Sequence, residues 1–164
     1  MPALHSIVQH LDHTLRTAAI TDYPCAWNGL QIENSGAVKK VAAAVDACEA
    51  VIAEAVARGV SLLLVHHGLF WGGVQPLVGV VRRKVKAALD ADLAIYSSHL
   101  PLDLHPTLGN NALPSERSRR RASSSSESAA FVCTPMDWPF ISRKGSQRLN
   151  PSAFASSALF PSVG

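Results

Sequence analysis

The segment Leu62-Leu63-Leu64-Val65-His66-His67 decides the fold of this chain, because it is an apolar run that ends in two histidines. Its apolar residues do not alternate with polar ones, which is typical of a strand that is covered on both faces. Helical patterns lie before and after it, and another short apolar run follows at residues 93–97. Strands that alternate with helices predict an α/β fold, with a mainly parallel sheet flanked by helices.

The neighbouring segments predict the other elements of such a fold. Three sets of apolar residues have helical spacing, and they are Leu4, Ile7, Val8, Leu11 and Leu15; Cys48, Val51, Ile52, Ala55 and Val56; and Leu77, Val81, Val85 and Leu89. The apolar run at residues 41–45 predicts a strand, and the Asn28-Gly29 turn signal precedes a short edge strand. Asp46 is followed three residues later by Glu49, so we expect a capping box at the start of the second helix.

The composition of the chain changes near residue 113. Residues 1–113 contain 8 Lys+Arg and 9 Asp+Glu, whereas residues 114–164 contain 7 and 3. Across the same boundary leucine falls from 16 residues to 2, and serine rises from 5 to 13. We therefore predict a folded domain at residues 1–113 and a Ser/Arg-rich, poorly ordered tail at residues 114–164. Because the basic charge lies on this tail, the sequence argues against a nucleic-acid-binding surface.

The cysteines and the hydropathy indicate where the protein is found. Cys25, Cys48 and Cys133 are widely spaced and form no CxxC pair, so we expect a reducing compartment rather than a disulfide framework. No apolar stretch reaches the roughly 18–20 residues needed to cross a membrane, and the N-terminus lacks the pattern of a secretory signal. These features predict a cytoplasmic protein without a membrane partner.

Imidazole and carboxylate groups collect where two predicted strands end. His66 and His67 close one strand, while His99 and Asp103 follow the next. Adjacent parallel strands lie about 4.8 Å apart, so side chains that leave their ends can share one ion. Nitrogen and oxygen ligands of this kind suit zinc, iron, manganese or nickel better than calcium or magnesium. A single histidine at a strand end is more simply explained by a hydrogen bond, but the pair with a nearby carboxylate favours divalent metal ions.

Consecutive side chains on a regular strand point to opposite faces, so both histidines can converge only where the strand breaks into a loop.

For other residues near this edge the evidence of a functional role is weaker. Asp46 ends a strand and could face the same crevice, but helix capping is a sufficient explanation for it. Cys48 falls on a predicted packing face and is expected in the core. Phe70 and Trp71 could line the base of a pocket for a small heterocyclic or nucleotide-like ligand, or pack into a neighbouring subunit.

Four motifs in order resemble the NIF-three-like family of dinuclear metal proteins, which often carry the label "GTP cyclohydrolase I type 2 homologue". They are Asn28-Gly29-Leu30-Gln31, His66-His67-Gly68-Leu69-Phe70-Trp71, Ser98-His99-Leu100-Pro101-Leu102-Asp103 and Gly109-Asn110-Asn111-Ala112. The resemblance implies an α/β fold, two metal ions per subunit and a homohexamer. It implies that His66, His67 and Asp103 are metal ligands, and that His99 acts near the metals or as a catalytic acid/base.

The family pattern also includes a His-x-x-x-Glu motif toward the C-terminus, whereas no histidine follows His105 in this sequence. We interpret residues 1–113 as the N-terminal half of the family fold. The hypothesis that residues 114–164 come from a shifted reading frame predicts an Ala/Leu-rich continuation in another frame of the gene. Three functions stay open at this point: a metal-dependent hydrolase, a non-enzymatic metal-binding scaffold, and a chain impaired by loss of its C-terminal ligands.

Overall fold

A computed structural model describes residues 2–71, 73, 75–109, 130–134 and 140–142. Their elements are α1 Leu4–Leu15, β1 Gly29–Ile32, β2 Val41–Asp46, α2 Glu49–Ala57, β3 Leu62–His67, α3 Gly79–Asp90, β4 Ala94–Ser97, α4 Leu100–Asp103, β5 Ala130–Thr134 and β6 Phe140–Ser142. The predicted α/β class is confirmed, as are the first helix, the edge strand and the strands built on the apolar runs.

The strands form one sheet in the order β1-β4-β3-β2-β5-β6. Its centre is parallel, because β3 pairs in parallel with both β2 and β4. Its flanks are antiparallel, since β1 pairs with β4, β5 with β2, and β6 with β5. The sheet is therefore mixed, with the expected parallel arrangement at the three central strands.

Both faces of the sheet are covered, as the uninterrupted apolar run of β3 requires. Leu62 and Leu64 belong to a core that includes four residues of α1. Leu63 and Val65 point to the opposite core, which α2 and α3 cover. All four side chains are fully buried. A strand of this kind holds its register firmly, because a shift by one residue would exchange every side chain between the two cores.

The start of α2 differs from the predicted capping box. The residue before the helix is Cys48, and no side chain caps the helix. Asp46 is instead the last residue of β2, and its carboxylate accepts a hydrogen bond from His67. Cys48 is exposed, so the prediction that it packs in the core is wrong. The chain needs two residues to leave the sheet before the helix begins, which places Asp46 too early to cap it.

The packed face of α3 also differs from the predicted one. Leu77 precedes the helix and is 53% exposed, and Leu89 is 60% exposed. The helix packs through small side chains, with Ala88 fully buried and Val85 partly buried against the core beneath α2. Small residues permit close helix contact, so Ala88 determines the buried face although leucine has the stronger apolar signal.

Strands β5 and β6 lie in the segment that the sequence analysis assigned to a poorly ordered tail without elements. The rest of residues 110–164, including most of the fourth family motif, lies outside the described residues. The boundary at residue 113 therefore stays a prediction.

Among the helices of the described part of the chain, none has both the length and the apolar character to cross a membrane.

Candidate metal centre

Parallel pairing brings the ends of β2, β3 and β4 to one edge of the sheet. Asp46 pairs with His67 in register, and Val65 pairs with Ser97. His66 and His67 are the last two residues of β3, and His99 follows β4 after a single intervening residue. The backbone N–H of Ser98 donates to the Val65 carbonyl oxygen over 2.9 Å, which continues the pairing up to His99. The strand edge predicted from the sequence is thus where the histidines meet.

Three imidazole rings form the centre of the site. The ring centroids of His66 and His67 are 4.7 Å apart, those of His66 and His99 are 4.6 Å apart, and those of His67 and His99 are 5.5 Å apart. One potential ligand nitrogen from each ring lies within 4.8 Å of the others. His66 is buried, whereas His67 and His99 are half-buried. The cluster is therefore partly accessible to solvent, through His67 and His99.

Each imidazole has its Nδ1 atom engaged by an oxygen that can only accept a hydrogen bond. Nδ1 of His66 donates to the Ser98 carbonyl over 3.1 Å, and Nδ1 of His67 donates to Asp46 Oδ1 over 2.6 Å. Nδ1 of His99 donates to Asp22 Oδ1 over 2.9 Å. In a neutral imidazole this assignment leaves Nε2 without a proton, so that it can act as a metal ligand or a base.

Asp103 stands beside the buried histidine, as the sequence predicted. Its Oδ2 atom is 3.5 Å from Nε2 of His66. Burial lowers the pKa of His66 to about 4; Asp103 acts in the opposite direction, and His67 and His99 lower the pKa further. His66 is therefore neutral at pH 7, and an unprotonated nitrogen faces a carboxylate oxygen. Two ligands of a tetrahedral zinc ion with bonds of about 2.0–2.2 Å lie roughly 3.4 Å apart, which is close to this spacing.

Asp22 is a site residue that the sequence analysis missed. Its carboxylate side chain is 4% exposed and accepts hydrogen bonds from Tyr23 N, Asn28 Nδ2, His99 Nδ1 and Leu100 N. Burial raises the pKa of Asp22, but these hydrogen bonds outweigh it and lower the pKa to about 2. Asn28 completes the arrangement, because its Oδ1 accepts the backbone N–H of His99 over 2.7 Å. Together Asp22 and Asn28 fix both the backbone and the ring of His99.

Aromatic side chains border the imidazole cluster. The ring centroid of Trp71 is 4.8 Å from that of His99 and 5.4 Å from that of His67. The ring of Tyr23 lies against His99 at 5.6 Å. Phe70 instead packs, partly buried, against the core beneath α2. Of the two aromatic residues expected at a pocket floor, Trp71 is therefore the one in contact with the histidines.

The structure brings together the histidines and the carboxylate that the sequence predicted at this edge, whereas Phe70 lies against the core. His66, His67, His99 and Asp103 converge, and Asp46 faces the same crevice through His67. His105 does not contribute a ring to the cluster; its Nδ1 accepts the backbone N–H of Leu108 over 3.1 Å. The signal for Asp22 and Asn28 was an acid and an amide in a turn-rich segment, with no periodicity to place them near His99.

Comparison with known proteins identifies the family to which this fold and site belong. The sequence model of the family described as Duf34/NIF3 (NGG1p interacting factor 3) matches residues 2–131. The chain belongs to the Duf34/NIF3 family. The family resemblance seen in the four sequence motifs is thereby confirmed.

Relatives of this Duf34/NIF3 protein include two bacterial proteins named "GTP cyclohydrolase 1 type 2 homolog". The protein from Treponema pallidum is 58% identical over 88 residues, which cover 53% of this chain and 31% of the relative. The protein from Escherichia coli K12 is 46% identical over 105 residues, which cover 63% of this chain and 42% of the relative. The chain thus spans less than half the length of these relatives.

Solved structures agree with the fold. The crystal structure of TTHA1606 from Thermus thermophilus superimposes with a TM-score of 0.63 at 42% sequence identity. The match covers 66% of this chain and 44% of that protein. The described α/β architecture is therefore that of a family member, seen here over about half of the longer chain.

Proposed function

We propose that this Duf34/NIF3 protein binds divalent metal ions at its imidazole cluster, with His66, His67 and Asp103 as ligands. The observation that supports this proposal best is the set of three histidines whose Nδ1 atoms all have a hydrogen-bond acceptor, while one potential ligand nitrogen from each ring lies within 4.8 Å of the others. Metal-binding histidines nearly always have such an outer hydrogen bond, which fixes the tautomer and the ring orientation.

The donor set of the site suits a divalent transition metal. Imidazole nitrogen and carboxylate oxygen are ligands that zinc, iron, manganese and nickel accept. A buried neutral histidine facing a carboxylate at 3.5 Å is a favourable pair for a cation, and it is an unfavourable pair without one because both atoms are acceptors. The residues therefore fit the group that the family resemblance implies. The number of ions, two per subunit in that resemblance, is part of the proposal.

We further propose a hydrolytic reaction, in line with the cyclohydrolase names of the relatives. Loaded with metal, such a site supplies Lewis-acid chemistry, which polarises a substrate and brings the pKa of water toward neutrality. This chain's own residues would orient the reactants: Asp22 holds the proton on Nδ1 of His99, so that Nε2 is available as a base or a ligand. Trp71 would border a small heterocyclic or nucleotide-like substrate.

A non-enzymatic metal-binding scaffold is the second candidate function. It stays open because, in the described part of the chain, His99 is the one histidine of the cluster that the proposed ligand set leaves available as a general base. The homohexamer and the cytoplasmic location expected from the sequence belong to the same proposal. Both expectations are compatible with either candidate function, so neither distinguishes the enzyme from the scaffold.

Metal content of the purified full chain tests the proposal. We expect elemental mass spectrometry to find about two equivalents of transition metal in the parent protein, and a loss in His66→Ala and Asp103→Ala. His5→Ala, which removes an exposed histidine from α1, is the matched control and should retain the metal. His99→Ala separates the roles of that residue, because loss of metal assigns a ligand and retention with loss of hydrolysis assigns a base. Metal near zero in the reconstituted parent chain would overturn the proposal.

A further inference from the structure

The loop from Asp22 to Asn28 combines firm anchoring with exposed aromatic rings. Its two end residues are hydrogen bonded to the His99–Leu100 segment. Between them, Tyr23 and Trp27 are each 63% exposed. A loop that only connected two elements would gain nothing from presenting two large aromatic side chains to solvent. A fixed loop geometry with exposed rings is what a binding surface requires.

Gln31 links this loop to the one that follows β3. Its Nε2 donates to the Trp27 carbonyl oxygen over 2.8 Å, and its Oε1 accepts the Leu69 N–H over 2.6 Å. A third bond joins the same two loops, since the backbone N–H of Trp27 donates to the Phe70 carbonyl oxygen over 3.2 Å. Three hydrogen bonds therefore join the two loops, and two of them come from the Gln31 amide.

Gly68 provides the space that the Gln31 amide occupies. A Cβ atom at residue 68 would lie 2.3 Å from Gln31 Nε2 and 2.4 Å from its Oε1. Any residue other than glycine would therefore displace the amide and break its bonds to both loops. The glycine that follows the two histidines is thus explained by the glutamine of β1.

The linked loops carry rings that meet at the same histidine. Tyr23, from the first loop, and Trp71, from the second, both lie against His99, at 5.6 and 4.8 Å. The bonds of Gln31 join the two loops that carry these rings and therefore contribute to the separation between the rings. Aromatic pairs interact best at centroid distances of about 4.5–7 Å, so a small change in that separation alters what can bind beside them.

We propose that Gln31 is a positioning residue that holds Tyr23 and Trp71 as the aromatic walls of a binding site for a planar heteroaromatic ring beside the imidazole cluster. The proposal deepens the proposed function and rests on it for the identity of the site, because it assigns the organic ligand that the metal-binding histidines would act on. A planar ring is favoured over an aliphatic or ionic ligand because the bordering side chains offer ring faces and imidazole hydrogen-bonding groups.

The experiment uses the full chain labelled with 5-fluorotryptophan, whose three ¹⁹F resonances, from Trp27, Trp71 and Trp138, are assigned with single Trp→Phe variants. The protein is titrated with the neutral nucleosides adenosine and guanosine, and with ribose as a control that lacks the ring. We expect a saturable shift of the Trp71 resonance with a nucleoside and none with ribose. No saturable shift with either nucleoside, or an equal shift with ribose, would overturn the proposal.

Gln31→Glu tests the positioning role, because a carboxylate still accepts the Leu69 N–H but cannot donate to the Trp27 carbonyl. We expect its affinity for the nucleoside to fall up to about tenfold, because one hydrogen bond that holds the loops together is lost, with zinc content unchanged. Gln9→Glu, on the exposed surface of α1, controls for the added charge and should bind as the parent does. Undiminished nucleoside affinity in Gln31→Glu would overturn the role of Gln31.

Tyr23→Leu removes one wall and leaves the Gln31 bonds intact, and its exposed position keeps the fold safe. We expect the same loss of nucleoside affinity, restored in Tyr23→Phe; parent-like affinity in Tyr23→Leu contradicts the proposal. Zinc content separates this inference from the proposed function. A chain that takes up no zinc but binds the nucleoside in a Gln31-dependent way refutes the metal site alone, whereas zinc uptake without nucleoside binding refutes the ring site alone.

Discussion

A single buried carboxylate, Asp22, determines how His99 is presented. It accepts four hydrogen bonds, and one of them fixes the proton on Nδ1 of His99. Asp22→Asn keeps the size of the side chain but removes the charge that orders these donors. Loss of the outer partner of a metal-binding histidine typically costs 10–100-fold in metal affinity, so this prediction takes His99 as a further ligand and expects zinc affinity to fall by about that factor. Competition titration with a chromophoric chelator measures it.

Asp90→Asn is the matched control for this prediction. Asp90 is the last residue of α3, is exposed, and forms an ion pair with Lys86 one helical turn before it. We expect its zinc affinity to equal that of the parent protein. Equal affinity in Asp22→Asn as well would contradict the role of His99 as a ligand and leave it the role of a base.

Tyr96 makes the stability of the protein fall as the pH becomes alkaline. It is fully buried, and its hydroxyl donates to Asp12 over 2.8 Å and contacts Thr17 at 3.1 Å. Burial, and secondarily Asp12, raise the pKa of Tyr96 above its ordinary value of 10.0. The folded protein then holds the phenol proton after the unfolded chain has lost it, so stability is full below pH 10 and falls by about 1.4 kcal/mol per pH unit above it.

Tyr96→Phe should remove this part of the pH dependence. Urea unfolding at a series of pH values from 8 to 11 measures it, and we expect the variant to lose less stability above pH 10 than the parent. At pH 8 the variant should be less stable by about 1 kcal/mol, because the hydrogen bonds of the hydroxyl are lost. Tyr23→Phe, at an exposed tyrosine, is the control and should show the same pH dependence of stability as the parent. A Tyr96→Phe variant with the parent's pH dependence would contradict the role of the buried phenol.

At the scale of single residues, the sequence predicted those site residues that have a metal-binding side chain and also lie at the end of a predicted strand. His66, His67, His99 and Asp103 could be placed at one edge because each follows an apolar run. Asp22 could not, since its partners are two backbone N–H groups, the amide of Asn28 and a histidine 77 residues away. Asp46 was assigned to helix capping because its spacing from Glu49 fits that local pattern equally well. A local pattern cannot show that a partner on the next strand competes for the same carboxylate.

At the scale of elements, two loops and β1 form the linked unit around Gln31, and a double-mutant cycle tests it. Gly68→Ala and Gln31→Ala should each weaken the same contacts, the first by displacing the amide and the second by removing it. Because both changes break the same bonds, we expect the free energy of unfolding of the double variant to differ little from that of Gln31→Ala alone. Denaturant unfolding of the four proteins measures the coupling.

Additive losses in that cycle would contradict the shared mechanism. Gly59→Ala provides a comparison at a glycine that has open space around it but a positive φ of 64°. We expect that variant to lose stability through backbone strain, independently of Gln31, and therefore additively with Gln31→Ala. The contrast separates a glycine needed for space from one needed for backbone conformation.

The elements themselves were predicted where the apolar pattern was long or uninterrupted. The first helix and the three central strands satisfy this condition, and all four were found. The prediction of the packed face of α3 was wrong, because the sequence pattern gives leucine more weight than alanine. In the folded chain the contact distance to the core decides instead, and it favours Ala88 over Leu89.

For the whole molecule, the metal site joins parts of the chain that only the folded sheet brings together. His66 lies at the end of β3, and Asp103 ends α4. An unfolded chain does not hold these ligands in place, so a metal that binds the cluster stabilises the folded state. At a free metal concentration one hundred times the dissociation constant, the stabilisation is about 2.7 kcal/mol, or roughly 5–10 °C in Tm for a chain of this size.

We therefore expect zinc to raise the Tm of the parent protein by that amount in a calorimetric titration, and to leave the Tm of His66→Gln unchanged. His13→Gln, on the exposed side of α1, should respond to zinc as the parent does, since its imidazole lies outside the cluster. Because the stabilisation follows from linkage, the rise in Tm should continue with the logarithm of the zinc concentration above saturation. A Tm of the parent that does not change with zinc, or a rise in Tm with zinc that is equal in His66→Gln and the parent, contradicts a metal site at the ends of the central strands.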